Sequence, residues 1–231
     1  ERAYEDLLHG KPGYELVEVN ADRRPLRVLE RIAPTPGQNI YLTVDARIQE
    51  AGVNAFAGRP GASVAMDPRN GEVLAMISVP SFDPNLFVNG ISQTDYNALL
   101  HSPDKPLLDR ALRGSYVPGS TITPFLAAAG LELGLRRPSD TILSTGEFHI
   151  SGQKRGYRDV RAGGHGRVDL VESLAQSVNA YYYSLAQDMG IDRLTESMGK
   201  FGFGAPTGID LLGEGSGVLP SRVWKRGRMN E

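Results

Sequence analysis

The 231-residue chain contains no cysteine. That excludes a disulfide framework and any zinc site built on thiolates. It leaves the compartment open, because periplasmic and cytosolic proteins alike do without thiols. No apolar run reaches the roughly 18–20 residues that a bilayer-spanning helix requires. No block of like charges marks an electrostatic tail. The formal net charge of −2 runs against nucleic-acid binding, which normally needs a basic excess. No secretory leader is visible, and the first residue is Glu1 rather than Met. The expectation is therefore a piece of a longer protein, with any anchor in a part not present here.

What is present is ordinary globular material, 40% hydrophobic and 23% charged. The length allows one sizeable domain and a smaller one. Glu1–His9 reads as a helix closed at Gly10. Tyr14–Asn20 and Pro25–Ile32 alternate apolar and polar residues around the turn Ala21–Arg24, which predicts a hairpin. Pro34, Pro36 and Gly37 form a breaker cluster and mark the expected boundary between residues 1–36 and 37–231. A short strand over Asn39–Val44 is expected next, then a helix over about Ala46–Phe56 capped by Asp45. Ala62–Met66 and Glu72–Ser78 flank Asp67-Pro68-Arg69-Asn70-Gly71, a strong hairpin turn. A short helical stretch falls near Thr94–Leu100. From Leu107 onward the pattern is mainly helical. One helix is expected to start near Ser120 and run to about Leu133, since Pro124 is tolerable only in a first turn. Pro138–Arg167 reads as a long Gly-rich polar loop. Asp169 and Glu172 form a capping box. Helix then runs through Leu185, breaks at Gly190 and resumes over Ile191–Phe201. The last thirty or so residues read as extended.

Ser120 draws attention first, because it follows the Pro118-Gly119 turn at a predicted helix start. Unpaired N–H groups and the helix dipole there favour negative charge. That suits a nucleophilic oxygen or an oxyanion. On spacing alone, an ordinary N-cap is the commoner meaning of such a serine. Ser177-Val178-Asn179, read alone, is likewise an unremarkable helix-junction cap. Asp159 and His165 are spaced so that both can face one site, with Glu147, His149 and Asp140 nearby. A structural zinc needs about four ligands, so solvated loop residues are the simpler reading and no metal is expected. Tyr181-Tyr182-Tyr183 reads as helix packing rather than a substrate platform, and Asp192–Lys200 as a solvated amphipathic face.

The wording around these residues changes their weight. Tyr116-Val117-Pro118-Gly119-Ser120-Thr121-Ile122-Thr123-Pro124-Phe125 resembles the Pro-Gly-Ser-x-x-Lys-Pro-aromatic nucleophile segment of class B penicillin-binding proteins. Ser177-Val178-Asn179 matches the second member of that superfamily's set: Ser-x-x-Lys, Ser-x-Asn and Lys-Thr-Gly. Gly61–Met76 is similar to the family's opening hairpin and Pro80–Asn85 to its next loop. Gly208-Ile209-Asp210-Leu211 and Leu219-Pro220-Ser221-Arg222 are similar to later segments. Leu8-His9-Gly10 and Tyr14–Val19 resemble the end of its N-terminal pedestal. Tyr157-Arg158-Asp159 with Gly164-His165-Gly166 points to the elongation branch, that of penicillin-binding protein 2.

The resemblance implies an α/β (α+β) penicillin-recognising serine transpeptidase fold. Its antiparallel sheet is flanked by helices beside a helical lobe, with a pedestal remnant over residues 1–36. It implies acyl transfer from D-Ala-D-Ala stem peptides of peptidoglycan through a serine acyl-enzyme, without a cofactor. Ser120 is then the nucleophile, Ser177 a proton relay to the leaving amine, and Asn179 a substrate contact. Implied partners are stem peptides, β-lactam antibiotics and a membrane glycan polymerase, at the periplasmic face of the inner membrane. Two departures stand out. Thr123 occupies the position of the family's lysine base, and a threonine hydroxyl is no base near neutral pH; losing a positioned base costs about 10²–10⁴ in rate. The Lys-[Ser/Thr]-Gly strand has no counterpart, since Lys154-Arg155-Gly156 and Lys225-Arg226-Gly227 fall in the wrong places. It is expected downstream of Glu231. The chain is therefore expected to be catalytically impaired. The alternatives are a non-catalytic scaffold and a serine β-lactamase-type hydrolase.

Overall fold

The computed structural model describes residues 2–229. Two compact units emerge. One takes the chain up to Gly114 together with Ile209–Glu214; the other takes Ser115–Gly208 and the chain from Gly215 onward.

In the first unit, β1 (Tyr14–Val19) and β2 (Pro25–Ile32) pair antiparallel. The turn between them is closed by Asn20, whose side-chain oxygen accepts from the Asp22 and Arg24 N–H groups at 3.0 and 2.9 Å. This is the local chemistry that makes Asn a turn residue. The expected helix over Glu1–His9 is shorter. A 3₁₀ turn at Arg2–Tyr4 leads into α1 (Glu5–Leu8), and Glu1 lies outside the described residues. The cap is His9, in extended conformation, rather than Gly10. The chain leaves the helix there to pair Lys11 with Thr35 through N–H···O bonds of 2.8 and 2.9 Å.

Asp45 caps α2 (Ala46–Ala55) by accepting from the Arg47 N–H at 2.8 Å. α2 packs on the antiparallel pair β3 (Gly61–Met66) and β4 (Val73–Val79). Gln49 fixes that packing: its amide donates to the Met76 carbonyl and accepts from the Met76 N–H, each at 2.9 Å. Ala75 and Ile77 of β4 are buried beneath it. The expected strand over Asn39–Val44 does not form. The segment follows β4 through the Thr43 hydroxyl, which donates to the Val73 carbonyl at 2.6 Å, and the Asp45 N–H, which reaches Leu74 at 2.9 Å. A side-chain bond thus stands where a strand would place a backbone one. α3 (Gln93–His101) starts at its Ser92 cap. Past Leu107 the expected helices begin with the four-residue α4 (Arg110–Arg113), which ends where Gly114 turns extended.

The second unit holds the larger core. α5 (Thr123–Glu132) packs against α7 (Asn179–Lys200). Gly130 of α5 lets Leu185 approach, since a Cβ there would lie 2.9 Å from both Leu185 methyls. Tyr181, Leu185, Met189 and Met198 are fully buried on α7. Tyr183 is only half-buried, against Phe148 and Tyr157. α7 breaks at Gly190, with φ 72° and ψ 160°, a backbone region open essentially to glycine alone. The polar side of Asp192–Lys200 is solvated, whereas Ser197 and Met198 face the core.

The expected loop over Pro138–Arg167 is instead two small ribbons. β5 (Ile142–Ser144) pairs with β8 (Gly166–Val168), and β6 (Glu147–His149) pairs with β7 (Gly156–Arg158). α6 (Leu170–Ala175) follows, with the expected Asp169–Glu172 capping box in place. The expected extended end contains α8 (Arg222–Met229). Ser221 starts it by accepting from the Trp224 N–H at 3.0 Å, an N-cap signal outweighed by the surrounding glycines. No helix among the described residues is long and apolar enough to cross a membrane.

Candidate active site

Ser120 does not begin a regular α-helix. It sits in a 3₁₀ turn, Gly119–Ile122, that feeds directly into α5. Gly119 takes φ 56°, a left-handed shape that glycine adopts without strain. The turn is closed by Thr121, whose N–H and hydroxyl both reach the Pro118 carbonyl, at 3.3 and 2.6 Å. Ser120 is exposed, as are Tyr116 and Val117 before it.

Ser177 comes from the junction between α6 and α7. Its hydroxyl donates to the Ser120 hydroxyl oxygen at 2.6 Å, across 57 residues of chain. Ser177 holds φ 55°. That conformation costs a residue with a Cβ roughly 1–2 kcal/mol. Val178, fully buried, anchors the turn, and its N–H donates to the Ser173 carbonyl at 2.9 Å. Asn179 opens α7; its backbone N–H donates to Asp159 at 2.8 Å. No bond joins the Asn179 side-chain amide to either serine among the described residues.

Thr123 lies one turn below Ser120, 8% exposed. Its hydroxyl donates to the Ser120 carbonyl at 2.9 Å and also meets the Tyr182 hydroxyl. Tyr182 in turn bonds Ser173 at 3.1 Å. Burial raises the Tyr182 phenol above its ordinary pKa, while the bonds to Ser173 and Thr123 pull the other way. Among the described residues, the hydroxyls of Ser120, Thr123 and Ser177 bond only hydroxyls and a carbonyl. No amine, imidazole or carboxylate among the described residues is bonded to them.

The Asp159 carboxylate and the His165 backbone N–H, rather than the His165 ring, meet at the Ser144 hydroxyl. Ser144 donates to the Asp159 carboxylate at 2.8 Å and accepts from the His165 N–H at 3.1 Å. Glu147 pairs with His149 at 3.3 Å, and Asp140 pairs with Arg137 at 3.2 Å. Among the described residues no group of three His, Asp or Glu side chains could hold a metal ion. The Asp159 carboxylate accepts four bonds: Ser144, Val160 N–H at 2.8 Å, Asn179 N–H at 2.8 Å and Ala180 N–H at 3.3 Å. Burial opposes its charge, yet these donors outweigh burial and hold its pKa below the ordinary carboxylate value. Sequence reading missed this role, and missed Tyr182 and Ser173. The cap lies 20 residues from the helix it serves, so no local motif announces it.

Residues 61–230 match the penicillin binding protein transpeptidase domain, and residues 1–42 match the penicillin-binding protein dimerisation domain. The chain is 48% identical over 231 residues to the peptidoglycan D,D-transpeptidase MrdA of Escherichia coli K12, covering 100% of itself and 36% of that protein. It thus spans about a third of the length of the curated relatives it matches. A Pseudomonas aeruginosa PBP2 solved in complex with WCK 5153 superposes with TM-score 0.82 at 46% identity, over 86% of this chain and 45% of that one. The PBP2 of Helicobacter pylori in complex with MreC superposes at 0.85 with 33% identity, over 99% and 42% respectively. The hydroxyl pair, the helices that carry it and these matches lead to one conclusion: the chain belongs to the penicillin-binding protein transpeptidase family.

Proposed function

We propose that this chain supplies the nucleophile half of a peptidoglycan D,D-transpeptidase whose base has been lost. The observation that carries the reading is the 2.6 Å bond between the Ser177 and Ser120 hydroxyls. In this reading Ser120 Oγ attacks the carbonyl of the D-Ala-D-Ala peptide bond. A C–O bond forms, the C–N bond breaks, and D-Ala departs as the amine. The proton released by Ser120 travels through the Ser177 hydroxyl to that amine. Asn179, at the start of α7, contacts the stem peptide. An amine on a neighbouring strand then takes the acyl group. β-Lactams acylate the same serine as mimics of the dipeptide. Thr123 cannot accept the Ser120 proton, so turnover falls by about 10²–10⁴ relative to a lysine-bearing site.

The rest of the assignment follows the family. Residues 1–36 end the pedestal, and residues 37–231 form the first part of the transpeptidase domain. The third motif lies further along the full-length protein. The partners are stem peptides, a membrane glycan polymerase and, as for the Helicobacter pylori relative, MreC. The working location is the periplasmic face of the inner membrane.

Labelled penicillin distinguishes the readings. Full-length protein with Thr123 should label slowly, and Thr123→Lys should label at least a hundredfold faster, consistent with about 10²–10⁴ for a restored base. Strong labelling with Thr123 intact would overturn the impairment. No labelling of either form would favour a non-catalytic scaffold, the second reading that the absence of a base supports. Rapid release of hydrolysed penicillin would instead identify a β-lactamase-type hydrolase.

A further inference from the structure

We propose that Asp159 is a positioning residue: its carboxylate holds the Ser177–Asn179 turn in the strained shape that puts the Ser177 hydroxyl on Ser120. The inference rests on the transpeptidase reading of Ser120 and Ser177.

The physical problem is set by the turn itself. Ser177 has a Cβ and yet takes φ 55°. Such strain persists only where the surroundings over-determine it. α7 begins immediately afterwards, and its N-cap residue is Val178, which makes no side-chain cap. The first N–H groups of α7 would otherwise lack acceptors. Asp159, from the segment after β7, accepts from the first two, Asn179 and Ala180, at 2.8 and 3.3 Å. A carboxylate there also meets the positive end of a long helix.

The brace has a second arm. Ser144, at the end of β5, donates to Asp159 and accepts from the His165 N–H. The His165 ring bonds Gln176, the residue before Ser177, at 3.0 Å between Nδ1 and Oε1. Its Nε2 is buried without a hydrogen-bond partner, so the ring is held from one side only. Gln176 and Asn179 are thus both tied to the 159–165 segment, and Ser177 lies between them. Asp159 itself is 8% exposed and touches neither serine. It acts through the turn.

A double-mutant cycle in the Thr123→Lys background tests this. The readout is penicillin acylation of Ser120 over a range of concentrations, separating half-saturation from the limiting rate. Asp159→Asn should slow the limiting rate by about 10- to 100-fold, the scale of a misplaced reacting group, with half-saturation nearly unchanged. Introduced into Ser177→Ala, the same change should slow acylation less than about threefold, because its target hydroxyl is already gone. Ser144→Ala, which keeps the carboxylate, should show the same pattern with a smaller drop, so the test survives if Asp159→Asn folds poorly. Equal effects with and without the Ser177 hydroxyl would overturn the proposal, leaving Asp159 a general stabiliser. If Thr123→Lys is not acylated at Ser120 at all, the transpeptidase reading falls and takes this inference with it.

Discussion

Two turns meet at the Ser120 hydroxyl, and each has one residue at nearly the same positive φ. Gly119 takes φ 56° in the first and Ser177 takes φ 55° in the second. The first turn uses glycine, for which the left-handed region is free. Gly119, Ser120 and Thr121 are exposed, and the closing bonds run among neighbouring residues, Pro118 with Thr121 and Ser120 with Thr123, with Tyr182 of α7 as the one outside contact, at the buried Thr123. The second uses a residue that resists the shape. It is walled by Val178 and Ser173, and its far side is gripped by a carboxylate from another part of the chain. The Gly119 turn gets its left-handed φ from local composition. The Ser177 turn gets it from tertiary structure. Precision at the hydroxyl pair therefore depends mostly on the braced partner.

The sharpest way to break this comparison is to damage each turn's polar support. Asp159→Ala strands a hydroxyl and three backbone N–H groups at a buried site. It should lower unfolding free energy by about 3 kcal/mol, given 1–3 kcal/mol per unsatisfied buried group and partial rescue by water. Thr123→Val removes one hydroxyl at nearly constant shape and should cost only about 1 kcal/mol. Urea melts of both variants provide the check. A larger loss at Thr123 would mean that the Gly119 turn, not the Ser177 turn, is the one that depends more on tertiary contacts.

Acid separates the turns next. The folded-state pKa of Asp159 is lowered from the ordinary carboxylate value of about 3.9. A lowered folded pKa means that its stabilisation is complete above the unfolded value and fades as pH falls through the folded one. The wild-type protein should therefore lose Tm below about pH 4 more steeply than Asp159→Asn, which has no proton to take up there. Thr123→Val, with no titrating group removed, should keep the wild-type steepness. Parallel Tm profiles for wild type and Asp159→Asn would remove the charge from the account of the brace.

The same division explains what could be read in the sequence. The hairpin closed by Asn20, the Asp45 cap and the Asp169–Glu172 capping box were legible because donor and acceptor lie within a few residues. The ribbons of 142–168 were not. Each strand is three residues long, too short for alternation to register, and Ile142 finds its partner at Val168. The Asn39–Val44 strand failed for the converse reason. Its apolar pattern is real, but the Thr43 hydroxyl takes a ladder position. At the site, Ser120 and Ser177 each read as a cap by spacing, and only the family wording joined them. Thr123 was legible as a departure, whereas its contact with Tyr182 needed α5 packed on α7.

The finest test exchanges the residue types at the two left-handed positions. At Gly119 the space around a new Cβ is open, with no heavy atom within 4 Å. Gly119→Ala therefore reports backbone strain alone, offset by the entropy that alanine removes from the unfolded chain. The net should be a loss of about 1 kcal/mol. Ser177→Gly runs the other way. Relief of roughly 1–2 kcal/mol of strain exceeds the 0.4–1 kcal/mol by which glycine favours the unfolded chain. The bond to Ser120 is solvent-exposed and adds little. Stability should rise by a few tenths to about 1 kcal/mol while the Ser177 hydroxyl, and with it fast acylation in the Thr123→Lys background, is lost. Opposite signs at one φ would identify Ser177 as a position where stability is given up for placement of a hydroxyl. A loss at both positions would mean that the Ser177 side chain stabilises its own turn, and that the brace from Asp159 has no strain to oppose.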